Sequence, residues 1–244
     1  MVRWIVLILL PLAAMALAGC VSNTGGPDGP DCIFFSPGVA GDGPWYAALR
    51  RGLRDGGVTA PLHTVSWGLP PPLTALNFQT PSIHNSAEEK LARLIASFRQ
   101  QHPGGRLRLL SHSAGGGVVL GALAKLDSSV EVDQVIVLNP SVSPQYDLAP
   151  AAAHVRGQIH VFHSEKDTVF LGWRCRTFGS YDNIRTEAAG KVGFTSVQSL
   201  PAPLRRKIIQ HPYDPNWESL GNDGGHYGST EHDFAVQLLA PLLK

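Results

Sequence analysis

The chain has 244 residues, 43% of them hydrophobic and 16% charged, and its 20 Lys and Arg against 19 Asp and Glu leave a formal net charge of +1. That length suits one α/β domain able to bury a substantial core. A near-neutral balance without any tract of like charge lacks the electrostatic footprint of a nucleic-acid binder, so no nucleic-acid partner is expected.

The N-terminus reads Met1-Val2-Arg3-Trp4, then an apolar run that closes on Leu17-Ala18-Gly19-Cys20. A short basic start, an apolar centre and small residues before a break describe an export signal. Its ending resembles the bacterial lipobox. The resemblance implies that residues 1–19 are removed, that Cys20 is lipidated, and that the protein is an exported, membrane-anchored lipoprotein of the cell envelope. Several acyl chains on one Cys hold a protein on a membrane where a single chain does not. The alternative is an uncleaved anchor, because the run approaches a spanning length; Pro11 interrupts it. Residues 20–31, rich in Gly, Pro, Asp and Ser, have the composition of a flexible tether, which leaves 32–244 as the folded domain. Oxidising conditions leave two readings open for Cys32 and Cys175, a disulfide or two buried free thiols.

Cys32-Ile33-Phe34-Phe35 reads as a short strand covered on both faces, since its apolar residues do not alternate with polar ones. A glycine-rich loop follows from Ser36 to Gly43, and Pro44 is placed to open a helix carrying Trp45, Ala48, Leu49 and Leu53 at helical spacing. Residues 63–67 read as another strand, ended by the Pro70-Pro71-Pro72 loop. Ser86-Ala87-Glu88-Glu89 resembles a capping box that opens a helix with Leu91, Leu94, Ile95 and Phe98 on one face. Arg106 to Ser111 is a strand, broken at His112-Ser113-Ala114-Gly115-Gly116-Gly117 before the apolar run Val118-Val119-Leu120. Residues 132–138, 158–163 and 207–210 supply further strands. The stretch between Asn139 and Gly157 has room for one short helix only, so no large cap domain is expected. Strands alternating with helices predict a mostly parallel sheet with helices on both faces. The Gly115-Gly116-Gly117 run does not suit a dinucleotide loop, because no acid ends the following strand.

Ser113 in S-x-S-x-G, between a strand and a helix, resembles the nucleophile elbow of the α/β-hydrolase superfamily, with Ser111 where the usual leading glycine stands. A serine hydroxyl needs a histidine to take its proton, and the histidine needs a carboxylate to orient it. By the resemblance Asp167, just past the strand ending at His163, is that carboxylate, with Glu165 and Asp147 as alternatives. His226, in Gly225-His226-Tyr227-Gly228, is the base, with His232 as its competitor. The order Ser, Asp, His is the one this superfamily uses. The same resemblance assigns the oxyanion hole to the amides of Ala114 and Val39, Ala40 being the second choice for the latter. It implies a minimal α/β-hydrolase fold without a large cap, cleavage of an ester or acyl substrate through an acyl-enzyme, and no cofactor. Two other classes compete. One is a non-enzymatic lipoprotein that uses the fold as a binding or structural module. The other is a metal hydrolase, which ranks last because no His-x-x-x-His or comparable ligand spacing is present, and no metal is expected.

Overall fold

The computed structural model describes residues 30–70, 73–78 and 80–244. The export segment, Cys20, and the tether as far as residue 29 lie outside the described residues. Among the described residues, no helix is long and apolar enough to cross a membrane.

Six strands, β1 (Asp31–Ser36), β2 (Leu62–Thr64), β3 (Arg106–His112), β4 (Gln134–Leu138), β5 (Ile159–His163) and β6 (Ile208–Pro212), form one sheet in the order β2-β1-β3-β4-β5-β6. Every neighbouring pair is parallel. The unalternating strand sequences follow from burial on both sides. Leu107, Leu109, Val135, Val137 and Val161 point to one core, shared with α2 (Pro81–Gln101), α3 (Gly115–Leu123) and α4 (Ala149–Ala153). Ile33, Phe35, Leu110, Ile136 and Phe162 point to the other, closed by α1 (Ala47–Asp55) and the helical residues 232–242. Each fully buried Leu or Ile contributes on the order of 1.5–3 kcal/mol.

Several boundaries differ from the sequence expectation for local reasons. Helix α2 starts at Pro81 rather than Ser86, because Thr80 is extended (φ −107°, ψ 100°) and the proline presets the first helical residue. Ahead of α1, Tyr46 and not Trp45 turns inward: Tyr46 is 1% exposed and Trp45 is 42% exposed. Strand β2 is three residues long, and its pairing with β1 is extended at either end by Ile33 N–H to the Pro61 carbonyl (2.9 Å) and Val65 N–H to the Phe35 carbonyl (2.8 Å). The β4–β5 connection holds α4 alone, whereas the longer β5–β6 connection wraps back over the carboxyl end of the sheet.

The disulfide reading of Cys32 and Cys175 is corrected: both are buried free thiols. Cys32 sits near the amino end of β1, while Cys175 lies beyond the carboxyl end of β5, so the sheet separates them. Burial pushes each thiol up to about 12.

The tightest packing lies at the start of α3. A Cβ on Gly115 would stand 2.2 Å from the Ser36 carbonyl oxygen and 2.5 Å from that of Pro37, so only glycine lets α3 approach the end of β1. A Cβ on Gly172 would meet nothing closer than 3.4 Å, the flexible Lys191 side chain. Gly115→Ala is expected to destabilise the fold by about 2 kcal/mol or more, as overpacking does, and Gly172→Ala by less than about 0.5 kcal/mol. Urea unfolding of the two variants measures the difference, and equal losses would contradict it.

Candidate active site

Strand β3 delivers Ser113 to a sharp turn. Its φ is 56°, in the left-handed region, and its N–H donates to the Leu138 carbonyl at 2.9 Å. Gly116 N–H (3.0 Å) and Ser141 N–H (3.2 Å) both donate to the Ser113 carbonyl, so neighbours on α3 and the β4 loop fix the turn. Ser111, in place of the glycine of the superfamily pattern, is fully buried inside β3, where its hydroxyl reaches the Ile136 carbonyl at 3.4 Å.

Two loops converge on that hydroxyl. After β5, Ser164 to Asp167 form a turn whose Asp167 caps a π-helical segment, Thr168–Arg174, by accepting the Leu171 N–H at 3.3 Å. After β6, a long loop turns at Gly224 (φ 82°) and brings His226 over the sheet end. His226 Nδ1 lies 2.6 Å from Asp167 Oδ2 and its Nε2 lies 3.0 Å from Ser113 Oγ. A carboxylate can only accept, so Nδ1 carries the proton and Nε2 accepts from the serine hydroxyl. All three side chains are buried, with Ser113, Asp167 and His226 being 6%, 2% and 9% exposed. Phe170 stacks on the His226 ring at 4.6 Å and limits its rotation.

The alternative residues stand elsewhere. Glu165 is exposed, and Asp147 accepts the Ala149 N–H at the start of α4. His232 bridges Asp55 of α1 (2.8 Å) and Asp233 (2.6 Å), tying the last helical segment to α1. Ala114 follows Ser113 in the chain and Val39 lines the same cavity as Ser113; neither amide donates a hydrogen bond among the described residues, and the Gly38 amide is already engaged. Among the described residues no group of three or more His, Cys, Asp or Glu side chains is arranged to hold a metal ion.

His112, the residue before Ser113, supports the site from beneath. Gly38 N–H donates to Tyr46 Oη at 2.9 Å, Tyr46 Oη lies 2.9 Å from His112 Nδ1, and His112 Nε2 lies 2.8 Å from the His226 carbonyl oxygen. The carbonyl forces the His112 proton onto Nε2, so Nδ1 must accept from the tyrosine hydroxyl, and every bond in the chain has one direction. Complete burial, helped by the neighbouring His226 ring, depresses His112 to about 3 and keeps it neutral. The chain joins the Val39 loop to the backbone of His226 beneath the catalytic-type triplet. Nothing in local spacing marks it, because Tyr46 and His112 are 66 residues apart in sequence.

These groups surround a cavity of about 90 Å³, lined in part by Val39, Phe78, Phe170, Leu171, Arg174 and Tyr227. The Val39 loop and Phe170 form part of its wall. Trp173 instead points outward, 63% exposed, and Pro71 and Pro72 lie outside the described residues. Phe78, Tyr46, Arg174 and Tyr227 carry no recognisable motif and enter only through the fold.

No family model and no curated protein matches the chain. Solved structures are similar in shape. An esterase from the archaeon Pyrobaculum calidifontis is 13% identical, with 88% of this chain matched to 76% of that one at a TM-score of 0.50. A serine hydrolase without a lid from Xanthomonas campestris is 14% identical over 88% of this chain and 84% of that one, TM-score 0.48. A cutinase-like protein from Cryptococcus sp. is 13% identical over 89% and 93%, TM-score 0.47. The architecture is the α/β-hydrolase fold, in an all-parallel form without a separate cap domain among the described residues.

The depressed His112 fixes a sign for acid sensitivity. Unfolding returns the ring to its ordinary 6.5, so between about pH 3 and pH 6.5 the unfolded chain binds the extra proton, and stability falls as pH falls through that window. The slope from one such group is at most about 1.4 kcal/mol per pH unit. His112→Asn is expected to show a shallower loss of unfolding free energy than wild type between about pH 6 and pH 4. Parallel lines in denaturant titrations at both pH values would refute this role for His112.

Proposed function

We propose that this α/β-hydrolase-fold protein is a serine hydrolase that cleaves carboxylic esters through an acyl-enzyme on Ser113. The observation that carries the reading is the continuous chain Asp167–His226–Ser113, with contacts of 2.6 and 3.0 Å in a buried setting. His226 Nε2 takes the Ser113 proton as Oγ attacks the ester carbonyl. The resulting imidazolium, held at Nδ1 by Asp167, then protonates the departing alcohol, and water repeats the sequence to release the acid. The negative charge on the tetrahedral oxygen needs preorganised donors. Ala114 N–H, at the start of α3, and Val39 N–H are the groups proposed for it.

A cavity of about 90 Å³ walled by Val39, Phe78, Phe170 and Leu171 suits a short acyl group. A fluorophosphonate probe is expected to label the wild type at Ser113 and to leave Ser113→Ala unlabelled. Ester turnover should fall by at least about 10³-fold in that variant, the scale for losing a nucleophile. A folded wild type that neither labels nor turns over p-nitrophenyl acetate would favour the binding-module reading.

The Leu17-Ala18-Gly19-Cys20 motif supports a further proposal, that the enzyme is tethered to a membrane by lipid on Cys20. Cys20→Ser is expected to shift the protein from the membrane to the soluble fraction. Mass spectrometry that finds an unacylated Cys20 in the membrane-bound wild type would overturn this.

A further inference from the structure

We infer that the esters this site accepts carry a carboxylate, which Arg174 binds. The inference rests on the reading of Ser113 as nucleophile and adds the substrate's charge. Arg174 ends the π-helical segment that begins at Asp167, so the same turn that seats the orienting carboxylate places this guanidinium at the cavity wall. Such π turns are rare and recur at functional sites. The residue is half-buried, and its Cζ lies 5.6 Å from the centroid of the Phe78 ring, which also lines the cavity.

Among the described residues the exposed Arg51, Arg54, Arg185, Arg205 and Arg206 form no ion pair; what distinguishes Arg174 is that it is half-buried at the cavity wall and still has no counter-ion. Arg50, Arg93, Arg99, Arg106, Arg108, Arg156 and Arg176 each stand within ion-pair distance of a carboxylate. Arg174 makes no ion pair and no hydrogen bond among the described residues; its one contact of this kind is with Phe78. The acids on neighbouring elements are committed elsewhere. Asp167 holds His226 and the Leu171 amide, Asp182 accepts from Ser143 and Ser180, and Glu187 pairs with Arg176 and Lys191. Among the described residues no Asp or Glu lines the cavity, and Asp167 behind His226 is engaged by that ring, which leaves Arg174 as the charge facing the cavity.

A guanidinium partly withdrawn from water gains from an anion more than an exposed one does, since the apolar wall lowers the local dielectric. Its planar fork matches the two oxygens of a carboxylate. The Phe78 ring, 5.6 Å from Cζ, lies within cation–π range of the guanidinium. A neutral short-chain ester would fill the apolar wall and leave this cation unused.

The test compares substrates with and without a carboxylate, and reads the change in their ratio between wild type and variant. On the acyl side the pair is p-nitrophenyl butyrate and mono-p-nitrophenyl glutarate, and on the alcohol side phenyl acetate and 4-acetoxybenzoate. Wild type is expected to prefer the anionic member of at least one pair. In Arg174→Gln the ratio of kcat/KM, anionic over neutral, should fall by about 10- to 100-fold, the scale of a hydrogen bond to a charged partner, mostly through KM. Arg174→Lys should restore part of it. No anionic preference in either pair, or a ratio unchanged in Arg174→Gln, would overturn the inference. Binding provides a readout independent of turnover: calorimetry with monomethyl glutarate on Ser113→Ala, against Ser113→Ala combined with Arg174→Gln, should show the same loss. If neutral esters and the fluorophosphonate also fail while that binding difference persists, the reading of Ser113 has failed and the carboxylate site stands.

Discussion

The left-handed backbone at Ser113, φ 56°, is the constraint around which the carboxyl end of the sheet is built. A non-glycine residue in that conformation costs on the order of 1–2 kcal/mol and persists only where its surroundings overdetermine it. Here the amides of Gly116 and Ser141 and the carbonyl of Leu138 hold the peptide groups on both sides. The glycine at 115 lets α3 come down on the carbonyls of Ser36 and Pro37. The result is a hydroxyl projected from the end of β3, with β1 and β4 fixed on either side of it. The Val39 loop continues from β1 and the Ser141 loop from β4, so the walls of the cavity are set by the same contacts that force the turn.

The second feature is how the mobile-looking parts of the site are tied down. Loops that carry Asp167 and His226 emerge from different strands, β5 and β6, and nothing in their own sequences brings them together. Asp167 is held by the π-helical segment it caps, and His226 is held from three sides: Asp167 at Nδ1, the Phe170 ring on its face, and His112 at its backbone carbonyl. A buried, neutral His112 is well suited to the last task, because it can donate to one carbonyl and accept from one hydroxyl without bringing a charge beneath the triplet. Tyr46 completes the chain to Gly38, so the loop that presents Val39 and the loop that presents His226 share one hydrogen-bonded path. Among the described residues Arg174 then stands as the permanently charged side chain on the cavity wall, introduced by the helical segment that Asp167 caps.

The amino-acid sequence by itself determined the architecture. Unalternating strands at Ile33–Phe35 and Val135–Leu138 can be buried only between two helical layers, and the intervening amphipathic helices leave a parallel sheet as the economical solution. Through the resemblance of S-x-S-x-G and its partner loops to the superfamily pattern it also pointed to Ser113, Asp167 and His226, because a glycine-crowded turn and loops at strand ends are short-range features. What only the tertiary structure decided are the contacts between residues distant in the chain: Tyr46 on His112, His112 on His226, Phe170 on the His226 ring and Arg174 over Phe78. It likewise separated Cys32 from Cys175 by the length of the sheet, and turned Tyr46 rather than Trp45 inward. Periodicity reports which face of an element is buried, and therefore reveals strands and helices. It carries no information about which buried side chain meets which, because that depends on strand order and on loop paths fixed by packing across the whole domain.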